Sequence, residues 1–424
     1  MPMPGDGTRT GTTTNSLPAR CLDLTRLISR VGRGPMTGID RVEFAYLRRL
    51  LNDPVPLYLL VRTALGYMLL NKDGADRVLR RINGDATWGR SDLFGLVRKK
   101  ASPEKRRAEA DLRRFRVDYC ARRGLVAMLA RKLPEGTEYF NVGHSNLSDA
   151  TLAAWNSIGP VTVLVHDTIP LDYPQFQRSG APEKYERTLR SVSKYADRVI
   201  CNTADTEARV RHSISAWGRS VETVTAHLGV EPAEGIADDL PDVITKSAPY
   251  FVALGTIEPR KNHALLLDLW ERFNGELDDK DIPRLFIIGS RGWENEDVFR
   301  RLDNSEPMGS TVFELSGLSD AAVSAAIKGA AAVLQPSFAE GFGLPVAEAV
   351  ALGTPVICSD LPVYREIVGN IPVYLSPDDV YSWRQSILRM AENKRAVQTG
   401  AAGKNPDTGV PSWTDHFNLV LKAT

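Results

Sequence analysis

The sequence predicts two Rossmann-like, doubly wound α/β domains facing each other across a cleft, and three observations carry that prediction. The chain has 424 residues, too many for one ordinary domain. In both halves, short apolar runs rich in Val and Ile alternate with helical patterns, as expected of parallel sheets covered on both faces. Between the halves, EPAEGIADDLPDVITKSAP (from Glu231) carries acidic, Gly and Pro punctuation and no strand pattern. The expected organisation is a disordered tail over 1–19, an N-terminal domain over 20–240 and a C-terminal domain over 245–395. A linker and a final helix follow over 396–424.

Taken in order, the polar tail MPMPGDGTRTGTTTNSLP gives way to CLDLT, a first strand from Cys21. GPMTGIDRVEFAYLRRLL then reads as a glycine-containing turn entering a helix. Thr37 and Asp40 stand at capping-box spacing, and Val42, Tyr46, Leu47, Leu50 and Leu51 form one apolar face. PLYLLV from Pro56 is a second strand, and an interrupted helical pattern follows. YFNV, VTVLVHD, RVICNT and VETVTAHLG complete the strands of the first half. In the second half YFVALG, RLFIIG, VFELSG, AAVLQPS, PVICSD and PVYLSP are each followed by a helical pattern, predicting a six-stranded doubly wound sheet. Ser412 is placed to cap the closing helix.

Composition narrows the classes. Hydrophobic residues make up 43% and charged residues 25%, as in soluble globular proteins, and the net charge of +1 argues against nucleic acid as a partner. Cys21, Cys120, Cys201 and Cys358 show no paired spacing, which fits free thiols in a reducing cytoplasm. No apolar run approaches the roughly eighteen residues of a membrane span. Residues 98–132 hold thirteen Lys/Arg against four Asp/Glu, with Phe115, Val117, Tyr119, Leu125, Val126, Met128 and Leu129 interleaved. Such a stretch is either a solvated face or an amphipathic surface for anionic lipid on the inner face of a membrane.

The chemistry concentrates between Gly255 and Glu348. In PSFAEGFGLPVAEAVALGTPVICSD, a strand ends at Gln335 and a loop carries Glu340, Gly341, Phe342 and Gly343. A helix starts near Leu344, with Pro345 in its first turn. The glycines permit close backbone approach, and the helix start offers unpaired N–H groups to an anion such as phosphate. Glu340 and Glu348 suit hydroxyls, which a nucleotide sugar supplies on both sides of its diphosphate. Placed in a first helical turn, Glu348 is equally explained by the helix dipole. FVALGTIEPRKNHALLLDLWERF runs from a strand into Gly255 and Thr256, then a turn with Arg260 and Lys261. Two adjacent cations there neutralise a leaving diphosphate or stand solvated. Gly317 lies at a further strand end, in ELSGLSDAAVSAAI. In the first half, His166 and Asp167 follow VTVLV, where a His either meets a ligand or is structural.

EGFGLPVAEA, with Glu340 and Glu348 separated by seven residues, resembles the family 4 retaining glycosyltransferases. That resemblance covers about 400 residues and is strongest from Tyr250 to Leu375. It implies the GT-B arrangement, with acceptor on the N-terminal domain and donor on the C-terminal one. It implies that Glu340 contacts the donor sugar, that Glu348 contacts the ribose, and that Gly341 to Leu344 face sugar and diphosphate. Lys261 matches the family's usual lysine. Thr256 departs from it, standing where many members have Arg, so Arg260 is expected to supply that charge. The Gly317 segment resembles the part that holds the base. VHDTIP around His166 and Asp167, and the loop at Gly38, are similar to segments near donor sugar and acceptor. The SW pair near the end suggests a helix crossing back to the first domain.

The function implied is transfer of a hexose, mannose from GDP-mannose by the look of GTIEPRKN, to a hydroxyl of a glycan or lipid-linked acceptor in surface polysaccharide synthesis. Retention, no metal and no cofactor beyond the nucleotide-sugar co-substrate are expected. The alternatives are a phosphorylase or sucrose-synthase-like enzyme on the same fold, and a catalytically silent nucleotide-binding scaffold.

Overall fold

A computed structural model of the chain describes residues 18–97, 101–245, 249–397 and 409–422. Most of the expected N-terminal tail and of the 396–412 linker lies outside these residues.

The first sheet has eight strands: β1 (Arg20–Asp23), β2 (Leu57–Thr63), β3 (Gly66–Leu70), β4 (Asp118–Cys120), β5 (Glu138–Asn141), β6 (Val161–Val165), β7 (Arg198–Cys201) and β8 (Glu222–Thr225). Their order is β4-β3-β2-β1-β5-β6-β7-β8. From β2 to β8 every pairing is parallel, and the buried strands β5, β6 and β7 account for the continuous apolar runs. The expectation of a purely parallel sheet is corrected at one edge, where β2 turns tightly into β3 and β3 pairs antiparallel with β4. The second sheet contains β9 (Tyr250–Leu254), β10 (Arg284–Ile288), β11 (Val312–Leu315), β12 (Ala332–Gln335), β13 (Val356–Ser359) and β14 (Val373–Leu375). It is parallel throughout, in the order β11-β10-β9-β12-β13-β14. That is the doubly wound order, with its switch between β9 and β12.

The basic stretch is two helices, Pro103–Phe115 and Leu125–Lys132, separated by β4. Leu112, Leu125, Met128 and Leu129 are in the core, whereas Val117, Tyr119 and Val126 are exposed. Several cations are paired locally: Arg113 with Asp92, Arg114 with Asp111 and Arg131 with Asp118. Among the described residues no helix is long and apolar enough to cross a membrane.

The two domains are joined at several points. Helix Trp413–Lys422 packs on the first domain, where Tyr46 Oη lies 2.8 Å from His416 Nε2 and Phe417 meets the Tyr46 ring. The Ser412 hydroxyl caps this helix by accepting from Asp415 N at 3.1 Å. Phe176 of the first domain stacks on Phe338 of the second. The carboxylate of Glu366, in the second domain, accepts from Ala204 N at 2.6 Å at the start of helix Ala204–Ala216.

A candidate active site between the domains

The site forms where the carboxyl ends of both sheets meet. β9 ends at Gly255, whose φ of 119° is a conformation suited to glycine. The turn beyond it is a single 3₁₀ segment, Pro259–Lys261, closed by Asn262 in the left-handed region at φ 54°. It is tied to the loop after β12, since Phe338 N donates to Arg260 O at 2.8 Å. This brings Arg260 and Lys261 onto Glu340, which follows β12. Arg260 Nη1 lies 2.8 Å from Glu340 Oε2, and Lys261 Nζ lies 2.5 Å from Oε1. Ser337 Oγ donates to Oε1 at 2.8 Å. Arg260 Nε also meets Glu258, 2.6 Å away. Burial would raise the Glu340 pKa, but the Lys261 and Arg260 charges outweigh it and hold the group far below the usual carboxylate range. The two cations and the glutamate thus form one buried, preorganised cluster.

Helix Leu344–Ala351 begins at Gly343, whose φ of 85° starts the turn. Phe342 packs its side chain into the core. Glu348 is the fifth residue of this helix, beyond the first turn expected for it, so the dipole explanation weakens. Gly341 also has a packing reason to be glycine. A Cβ there would lie 2.6 Å from His166 O and 2.8 Å from Asp167 Cβ, so this glycine lets the loop touch the first domain. Gly38 behaves alike, for a Cβ on it would lie 3.0 Å from Leu344 Cδ1. The starts of helices Gly38–Leu51 and Leu344–Ala351 therefore converge. At Gly38 the box is formed as read, with Thr37 N donating to Asp40 Oδ2 at 2.8 Å.

His166 and Asp167 stand at the end of β6. His166 is buried, with Nε2 2.7 Å from Val142 O and its ring against that of His144. Burial, reinforced by His144, lowers its pKa and keeps it neutral. Asp167 Oδ1 accepts from Ile169 N at 3.1 Å, and burial raises its pKa against the pull of Arg260. A cavity of about 240 Å³ opens beside His144, lined by Leu147, Val165, Pro170, Tyr185 and Leu189 among others. At the rim of the second sheet, Thr256 is exposed, and Gly317 (φ 75°) has open space where a side chain would be.

The structure thus gathers Arg260, Lys261, Glu340, Gly341, His166 and Asp167 at one junction, and Gly38, Leu344 and Glu348 at its neighbour. Two participants escaped the sequence reading. Glu258, in the same turn, completes the Arg260 pairing. Arg41 had no signal beyond its place three residues after Gly38. Its guanidinium reaches 2.5 Å from Glu348 and 2.8 Å from Asp320, both in the other domain. Among the described residues no group of three or more His, Cys, Asp or Glu is arranged to hold a metal ion.

Residues 241–405 match the family described as glycosyl transferases group 1. The chain is 31% identical over 279 residues to the serotype-specific mannosyltransferase WbdA of Escherichia coli, a match covering 61% of this chain and 33% of WbdA. It therefore spans about a third of that relative's length. It is 28% identical over 243 residues to the O-antigen chain mannosyltransferase RfbU of Salmonella typhimurium, covering 56% of this chain and 62% of RfbU. Among solved structures, HepE of Anabaena in complex with UDP-glucose aligns with a TM-score of 0.55 at 11% identity, covering 96% of this chain and 99% of HepE. The two-domain architecture is the GT-B fold.

Proposed function

We propose that the whole protein transfers a mannosyl residue from a nucleotide-diphosphate sugar to a hydroxyl of a growing surface polysaccharide, a reading supported by the match of residues 241–405 to the group 1 glycosyl transferases. The observation that carries this reading is the buried Arg260–Lys261–Glu340 cluster at the junction of the two sheets. The mannosyl choice is supported by the likeness to the mannosyltransferases WbdA and RfbU.

In the proposed step the acceptor oxygen bonds to the anomeric carbon while the bond from that carbon to the diphosphate breaks. Negative charge grows on the departing phosphate, where Arg260, Lys261 and the N–H groups at Leu344 stabilise it. Those fixed cations support a metal-independent route. Glu340, held ionised, orients the sugar hydroxyls and opposes the positive charge developing at the anomeric carbon. Neutral His166 can hydrogen-bond the sugar without adding charge. Both Glu340 oxygens are already engaged by Arg260, Lys261 and Ser337, which supports front-face transfer with retention, the acceptor proton passing to the leaving phosphate. The Gly317 rim has room for the base, and the cavity beside His144 supports an acceptor on the first domain. Association of the basic 98–132 region with an anionic membrane surface is part of the same proposal and suits a lipid-linked acceptor.

The test is calorimetric binding of GDP-, UDP- and dTDP-sugars to the parent chain, Lys261→Ala and Glu348→Ala. One nucleotide class is expected to bind the parent, with both variants weakened at least about tenfold. Equal binding by parent and variants would remove the donor site from this junction.

A further inference from the structure

We infer that Arg41 is a positioning residue for the donor site, acting from the opposite domain to hold the Glu348 carboxylate oriented toward a donor hydroxyl. The inference rests on the reading of Glu348 as a hydroxyl acceptor and adds the residue that makes it one.

Arg41 sits on helix Gly38–Leu51, one position beyond the capping Asp40, where Gly38 meets Leu344. One of its terminal nitrogens donates to Glu348 Oε1 and the other to Asp320 Oδ1, at the start of helix Asp320–Gly329. A guanidinium presents two donors in a fixed plane, so a single side chain links one domain to two helices of the other. The Glu348 side chain is 13% exposed, and Arg41 Nη1 is the protein donor its carboxylate receives among the described residues. Oε1 is therefore engaged, leaving Oε2 to accept from a hydroxyl entering between the converging helix starts.

The charges facing Glu348 are Arg41 from the first domain and Asp320 from the second. Burial raises the Glu348 pKa, Arg41 opposes that rise, and Asp320 adds to it. With Arg41 gone, both remaining influences favour the protonated carboxyl. A protonated Glu348 has lost its charge and its fixed orientation, and accepts a hydroxyl hydrogen bond less well. Donor affinity then falls more steeply toward acid pH than it does in the parent.

The experiment compares the full chain with Arg41→Gln, Arg41→Lys and Glu348→Gln, titrating GDP and UDP by calorimetry at about pH 8 and about pH 6. Arg41 is 34% exposed on the side chain, so the variants should fold, and thermal melts check this. The expected result for Arg41→Gln is affinity lower by about tenfold at the higher pH and lower still at the acid one. Arg41→Lys should recover most of the loss at the higher pH. Parent-like binding by Arg41→Gln at both pH values, with Glu348→Gln weakened, overturns the role of Arg41 while leaving the donor site standing. An equal loss at both pH values that lysine does not rescue also overturns it, because a merely structural contact behaves that way. If Glu348→Gln itself binds like the parent, the donor-site reading falls and takes the inference with it.

Discussion

Glu340 and Glu348 bracket one short loop and helix start, yet they are satisfied in opposite ways. Glu340 is paired within its own domain, by Arg260 and Lys261 from the turn after the neighbouring strand, and its pKa is driven down. Glu348 takes its partner from the other domain, and burial leaves its pKa raised despite Arg41. The first end of the loop is therefore built when the C-terminal domain folds. The second is completed only when the two domains meet. A site divided in this way can be preorganised for the charge of a reaction and still depend on closure for binding.

The largest expected effect comes from breaking the end built within one domain. Glu340→Gln leaves Arg260 and Lys261 buried with less countercharge, and should cost about 3 kcal/mol in denaturant unfolding. Glu348→Gln, whose cationic partner is partly exposed, should cost below about 1 kcal/mol, so equal losses would erase the distinction. The pH dependence has a definite sign. Because the folded pKa of Glu340 is depressed, its stabilisation is present above the unfolded carboxylate value of roughly 4.3 and is lost as pH falls toward the folded value. Glu340→Gln should flatten that acid limb.

A smaller effect is expected from loosening the contact between domains without touching either glutamate. Gly229 lies against the Trp413 ring and backbone with no room for a Cβ. Gly229→Ala should therefore cost about 1–3 kcal/mol through overpacking. Hydrogen exchange should show it first as loss of protection in Trp413–Lys422, with β9 to β14 unchanged. Simultaneous loss in both places would mean that the domains do not respond separately.

The smallest effect is expected at Glu366, which accepts from Ala204 N and pairs with His227 at 2.7 Å across the domains. Burial raises its pKa, but the hydrogen bonds from His227 and from the Ala204 and Asp205 amides outweigh that and lower it. Its contribution is therefore present above roughly pH 4.3 and fades below. Glu366→Gln should cost about 1 kcal/mol or less near neutral pH, read from chemical denaturation.

Much of the fold was legible in advance because its strands are short, buried and separated by helices. YFVALG, RLFIIG and PVICSD each match a strand, since runs apolar on both faces occur chiefly in covered parallel sheets. The hairpin partners β3 and β4 escaped for a physical reason. GYMLL follows β2 with only a tight turn between, and DYC is three residues inside a charged stretch, so neither has a period of its own. The basic stretch shows the same limit, because composition records the cations but not that Asp92, Asp111 and Asp118 receive several of them.

The candidate site divides along the same line. Glu340, Glu348, Lys261 and the glycines stand at strand ends and a helix start, positions that local pattern and spacing reveal. The sequence by itself determined two doubly wound domains, the strand ends where ligands gather, and the residue types offered there, because these follow from hydrophobic period and turn chemistry over a few residues. Only the tertiary structure decided which charges meet. Arg41 and Glu348 are 307 positions apart, and Gly341 touches His166 across the cleft. Such pairings follow from how the two sheets face each other, and no local pattern encodes that orientation.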